Sequence, residues 1–309
     1  MGITRKPAAA GRFYPRFKQE VQTLIDESFS DRTFGPGIGL KIGLKEKPGE
    51  RIILGGISPH AGYVYSGCGT AHTIQAIFEE GAPDTVIILG NQHTGYHDIG
   101  LMKEGDWETP LGKIPIDTPL ADDILENCPE VKEDDAAFNG FPHGREHNIE
   151  VQIPFIQYAA EKANKPIKIV TIKIGAMDEG ILDKLGKNLA KTIQAYHGKK
   201  DIAIIASSDM THYEPRDPMK AKPEIFDVQH KKDGAVIDAF KKYDIKATFT
   251  NASDTTVCGP QTIATLMNIG KALGYQNTKA LKYYTSFEKM GQEEPCEYSV
   301  GYFSGIITK

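Results

Sequence analysis

The chain has 309 residues, 40% of them apolar and 25% charged, with a formal net charge of −5. That length and balance suit one large domain or two small ones with a sizeable core. The acidic excess excludes a general nucleic-acid binder, and neither a polybasic segment nor an apolar run of ~20 residues points to a membrane.

The opening stretch, MGITRKPAAAGRFYP, lacks the apolar centre of a signal peptide. Four irregularly spaced cysteines (Cys68, Cys128, Cys258, Cys296) read as reduced thiols rather than a disulfide framework. A cytoplasmic protein is expected. Asn251-Ala252-Ser253 matches a glycosylation sequon, which without export carries no weight.

Along the chain, residues 35–50 read as a surface loop rather than a linker, because residues 1–34 are too few for a core of their own. Residues 51–59 (RIILGGISP) predict a buried strand, residues 66–80 a helix, and residues 85–90 (TVIILG) a second buried strand. Trp107, Thr109, Pro110, Leu111 and Gly112 mark an irregular β excursion. A helix over 148–162 precedes a strand at 167–174. A long amphipathic helix follows over 178–196, with Ile181, Leu182, Leu185, Leu189 and Ile193 on one face. Residues 202–206 (IAIIA) predict another strand. Two helices near 229–242 and 260–273 lead to strands at 280–286 and 300–307. Strands interleaved with helices imply an α/β fold: a single domain whose mostly parallel, mixed sheet carries helices on both faces.

The unit from Arg51 to His93 has the length of a strand–helix–strand crossover, which sets its two strands parallel and often adjacent. His60 and His93 each follow one of those strands. Adjacent strands lie ~4.8 Å apart, so the two imidazoles can converge at the carboxyl edge, where open α/β sheets bind ligands. Two unrelated histidines that merely follow strands would give the same spacing.

The strand at 202–206 runs into Ser207-Ser208-Asp209-Met210-Thr211-His212, delivering a carboxylate and an imidazole to the same edge. Asp209 can ligate a metal or orient an imidazole, and His212, with an ordinary pKa near 6.5, suits a general base. A loop cap and a solvent-facing histidine are the plainer alternatives. Cys258 precedes Pro260, which can open a helix, and a thiol at that end is expected to favour thiolate. The alternative is a small buried apolar side chain. His147 and Glu150, three apart on the expected helix start, share a face and can supply contacts behind the ligands or to substrate. Tyr63, Tyr65 and Trp107 can line a pocket or fill a core. His72 reads as structural.

These segments occur in one order: Arg5-Lys6-Pro7-Ala8, Gly11-Arg12-Phe13-Tyr14-Pro15, Pro59-His60-Ala61-Gly62-Tyr63, Leu89-Gly90 with His93, Trp107-Glu108-Thr109-Pro110-Leu111-Gly112, Glu146-His147 with Glu150, Ser207-Ser208-Asp209 with His212, and Cys258-Gly259. Together they closely resemble the Memo family, over nearly the whole chain. That resemblance implies a fold like the class III extradiol ring-cleavage dioxygenases, in which two histidines and a glutamate hold Fe(II) and a further histidine acts as acid/base. It places His60 and His93 on the histidine ligands and His212 on the acid/base residue. Cys258 stands in place of the carboxylate ligand. A thiolate is softer and shifts preference among iron, copper and zinc. The expectation is a metal-binding redox enzyme with one mononuclear ion, iron ahead of copper or zinc. His60, His93 and Cys258 are the expected ligands, with His212 and Asp209 catalytic and Tyr63, His147 and Glu150 binding substrate or supporting the ligands from behind. Its partner would be a small molecule or peptide. A peptide-binding module without turnover and a metal-assisted hydrolase are the rival expectations.

Overall fold

The computed structural model describes residues 3–44, 51–93, 95–139, 146–214, 222–291 and 296–309. Part of the expected 35–50 loop, residues 45–50, lies outside them. In chain order the first elements are β1 (Thr4–Arg5), α1 (Lys18–Ser30), β2 (Ile53–Ser58), α2 (Tyr63–Glu79) and β3 (Thr85–Asn91). Next come β4 (Ile99–Leu101), β5 (Asp106–Thr109), β6 (Gly112–Pro115), α3 (Thr118–Asn127), β7 (Lys132–Glu133) and α4 (Ala136–Asn139). A 3₁₀ turn (Glu150–Gln152) then leads into α5 (Ile153–Ala163), β8 (Lys168–Ile174), α6 (Glu179–Gln194), β9 (Ile202–Ser207) and β10 (His212–Tyr213). The chain closes with α7 (Lys222–Lys241), α8 (Ile245–Ser253), α9 (Pro260–Ala272), β11 (Asn277–Thr285), α10 (Ser286–Lys289) and β12 (Ser299–Thr308).

The large sheet runs β10-β12-β2-β9-β3-β8-β4-β7, with β11 also on β12. β2, β9, β3 and β8 are mutually parallel, while β12 and β4 flank them antiparallel, so the sheet is mixed. The parallel strands are apolar and buried almost throughout, as strands covered on both faces must be. Val21, Ile25, Ser28 and Phe29 give α1 a buried stripe. With it α1 packs on α2 and α5, while α9 packs on α6 and α8. One main hydrophobic core runs from Ala9 to Ile307. Gly55 permits the closest strand contact, since a Cβ there would lie 1.9 Å from the Ile204 carbonyl oxygen. No helix among the described residues is long and apolar enough to cross a membrane.

Two expectations change. β2 and β3 are parallel but not adjacent, because β9 hydrogen-bonds to both and lies between them. The segment at 148–162 begins as the 3₁₀ turn and becomes α-helical only at Ile153, so His147 precedes the helix. The β excursion is a hairpin of β5 and β6 that pairs with β1 in a separate small sheet.

Candidate metal centre

The insertion of β9 gives the site its composition. β2 ends before His60, β3 before His93, and β9 at Ser207 with Asp209 two residues beyond. All three ends lie at the carboxyl edge of the parallel strands, where a cavity of about 1120 Å³ opens. His60, His93, His147, Asp209, His212 and Cys258 line it, with Phe13, Tyr65, Tyr298 and Tyr302 on its apolar wall.

His60 is 2% exposed, and its protonation state follows from its neighbours. Ser207 Oγ donates its proton to the Asn148 carbonyl at 2.7 Å and accepts from Gln152 Nε2 at 3.0 Å. Toward His60 Nδ1, 3.1 Å away, Ser207 can therefore only accept, so Nδ1 carries the hydrogen. That leaves the Nε2 lone pair buried, with no hydrogen-bond partner among the described residues. Burial, then the neighbouring imidazoles of His93, His147 and His212, push this histidine well below its ordinary pKa. A neutral imidazole whose free nitrogen is buried is the form that binds a metal.

His93 has the complementary arrangement. Its Nδ1 donates to Glu146 Oε1 at 3.0 Å, leaving Nε2 as acceptor for Asn91 Nδ2 at 3.1 Å. A carboxylate behind a histidine fixes the tautomer and raises the basicity of the ligating nitrogen. Burial works against the Glu146 carboxylate, but the His93 hydrogen bond and the charges of His93, His147 and Lys173 outweigh it and hold Glu146 at about 2. His147 stacks between Phe13 (4.2 Å) and His93 (4.8 Å), and burial pushes it down to about 4.

On the other side, Asp209 Oδ1 accepts the His60 backbone N–H at 2.7 Å, and Oδ2 lies 3.9 Å from both His60 Nε2 and His212 Nε2. Burial pushes Asp209 up to about 7. His212 Nε2 is 3.1 Å from Cys258 Sγ, and its Nδ1 meets the Tyr298 hydroxyl. Burial, with His93 second, lowers His212 to about 4. Cys258 departs from expectation. Gly259, not Cys258, caps α9, and burial followed by the Asp209 and Glu146 carboxylates raises the thiol well above its ordinary range. The helix end is too weak to offset that, so a thiolate here requires a positive charge within bonding reach.

Among the described residues, two groups bring their donor atoms within 4.8 Å of one another: His60, His93 and His147; and His60, Asp209 and Cys258. Bonds of ~2.1 Å put tetrahedral donors about 3.4 Å apart, a distance small side-chain rotations reach. The expected donors His60, His93 and Cys258 thus divide between two groups that share His60. The buried free nitrogen and the soft and imidazole donors around it fit a transition-metal ion.

Two of the residues expected to bind substrate or support the ligands, Tyr63 and Glu150, are not among those lining the cavity. Tyr63 is 3% exposed, donates to the Val151 carbonyl at 2.6 Å and packs on Tyr14 and Phe155, because it opens α2 on the core side. Tyr65, two residues on, lines the cavity instead. Glu150 is fully buried, pairs with Arg5 and accepts from Ala8 N, Ala9 N and Tyr14 Oη. It anchors the segment that carries Phe13 onto His147, so it acts on the site from behind. Sequence spacing gave no signal for Glu146, Ser207 or Asn91 as partners of the imidazoles, or for Gln152 as the donor to Ser207, since each is paired only by the fold.

The chain is similar to several known proteins. A MEMO1 family protein of Thermococcus kodakarensis is 36% identical over 99% of this chain and 100% of its own. One from Pyrobaculum arsenaticum is 37% identical over 97% of each. A crystal structure of an uncharacterized protein from Escherichia coli K12 aligns at 16% identity and TM-score 0.44, covering 73% of this chain and 86% of that one. The family model described as Memo-like protein matches residues 5–306, and with relatives this similar over their full length, the chain belongs to the Memo family.

Proposed function

We propose that this chain is a metal-dependent redox protein that holds one transition-metal ion, iron or copper, between His60, His93 and Cys258. The observation that carries the reading is the buried, unpartnered Nε2 of His60, whose lone pair is fixed by Ser207. The ion would supply a redox-active Lewis acid facing the cavity. Asp209 orients the His60 backbone, and Glu146 orients His93. His212, neutral above about pH 4, is placed to take a proton from Cys258 or from a bound molecule. The aromatic wall of Phe13, Tyr65, Tyr298 and Tyr302 suits a small organic substrate or a peptide side chain rather than a nucleic acid. Four free cysteines suit a reducing, cytoplasmic setting.

The all-imidazole group His60–His93–His147 supports a second reading, with three neutral nitrogens suited to zinc and metal-assisted hydrolysis. Metal content separates the two. Protein purified anaerobically and loaded with Fe(II), Cu(I) or Zn(II) is compared with His60→Ala, Cys258→Ser and His147→Ala. The first reading expects about one ion per chain, lost in His60→Ala and weakened in Cys258→Ser. Loss in His147→Ala with Cys258→Ser unaffected favours the second, and equally little metal in all four proteins removes both. Oxygen uptake with catechol-like compounds then tests dioxygenation, and ester cleavage tests hydrolysis.

A further inference from the structure

Behind the cavity wall, side chains from three helices meet. Cys68 Sγ in α2 lies 3.3 Å from Lys289 Nζ in α10 and 3.5 Å from Asp31 Oδ2, the residue that ends α1. Asp31 also pairs with Lys289, and Lys289 lies over the Phe34 ring at 5.0 Å. Two clamps therefore fix the amine against the thiol. Cys68 is 3% exposed, so bulky thiols are excluded from it. Each partner sits one helical turn from a cavity-lining residue, Cys68 from Tyr65 and Lys289 from Ser286.

We propose that Cys68 and Lys289 form an oxidant-dependent covalent bridge in which one oxygen atom joins sulfur to nitrogen. With dioxygen as oxidant, the neutral amine and the thiol each lose one hydrogen, and S–O and O–N bonds form as the O–O bond breaks. Sulfur and nitrogen each give up two electrons. One oxygen atom stays in the bridge and the other leaves as water with the two hydrogens. The further proton that the ammonium must lose beforehand leaves to solvent, which reaches the 18% exposed Lys289 side chain. An inserted oxygen spans the gap with less movement than a direct sulfur–nitrogen bond requires. The bridge would tie α10 to α2 and fix the wall carrying Tyr65 and Ser286. It rests on no part of the metal reading.

The test uses the full chain, held in air-saturated buffer or kept anaerobic with dithiothreitol, then digested with trypsin. The sequence has no Lys or Arg between Arg51 and Lys103, so Cys68 falls in a peptide of residues 52–103. In the aerated sample that peptide is expected linked to residues 283–309, uncleaved at Lys289 and about 14 Da above the sum of the two. Dithiothreitol should release it. Lys289→Arg keeps the charge opposite Asp31 and should abolish the linked species, as should Cys68→Ser. An aerated parent in which Cys68 carries only added oxygen, with Lys289 open to trypsin, overturns the proposal. So does a link that survives Lys289→Arg.

Discussion

Replacing Glu146 by Gln removes one charge beneath the imidazoles while keeping the side chain's shape. Glu146 Oε1 accepts from His93 Nδ1 at 3.0 Å and from His147 N at 2.8 Å, and Oε2 lies 3.6 Å from Lys173 Nζ. Against the effect of burial, these partners hold the carboxyl at about 2 where 4.5 is ordinary. At 1.36 kcal/mol per unit, that is roughly 3 kcal/mol of stability at pH 7. A depressed carboxyl stabilises fully above its unfolded value and loses that contribution as pH falls through its folded value. At pH 3 the same linkage leaves less than half of that contribution. Urea denaturation should therefore find Glu146→Gln less stable than the parent by about 3 kcal/mol at pH 7, with the gap at least halved at pH 3. A gap of equal size at both pH values refutes the reasoning. Chelator competition at pH 7 should also show metal affinity about 10–100-fold weaker, the usual effect of removing a carboxylate behind a ligating histidine.

Ser207→Ala removes the acceptor that keeps the hydrogen on His60 Nδ1, and should weaken metal binding about tenfold in the same competition assay. Arg5→Ala leaves the Glu150 carboxylate buried without its ion pair, and should lower stability by about 3–5 kcal/mol in urea. Asp209 is raised to about 7 by burial, so its ionisation opposes folding increasingly as pH climbs from about 4 through 7. Denaturation curves of the unloaded protein should accordingly show Asp209→Asn gaining on the parent between pH 5 and pH 8. A constant difference over that range would contradict the role assigned to burial.

The strands that build the site were readable because β2, β3 and β9 are buried and appear as short runs rich in Ile, Leu, Val, Ala and Gly with no charged residue. A residue just past such a run must lie at the carboxyl edge, which is why His60, His93 and Asp209 were legible. Strand order was not. Nothing local to residues 202–207 says that β9 inserts between β2 and β3, yet that insertion puts Ser207 and Asp209 beside His60. Spacing also misled at His147 and Glu150. The 3₁₀ turn replaces the expected helical face, so one side chain enters the imidazole stack and the other the Arg5 node. The thiol at Cys258 was misjudged because a helix end was weighed without the buried Asp209 and Glu146 carboxylates, which only tertiary structure brings near.

X-ray absorption at the metal edge, on anaerobically loaded protein, tests the central claim most directly. The account predicts one ion per chain whose inner shell combines at least two imidazole nitrogens at ~2.0–2.1 Å with one sulfur at ~2.3 Å, the sulfur vanishing in Cys258→Ser. An inner shell of nitrogen and oxygen alone in the parent, or a protein that takes up no ion, contradicts it.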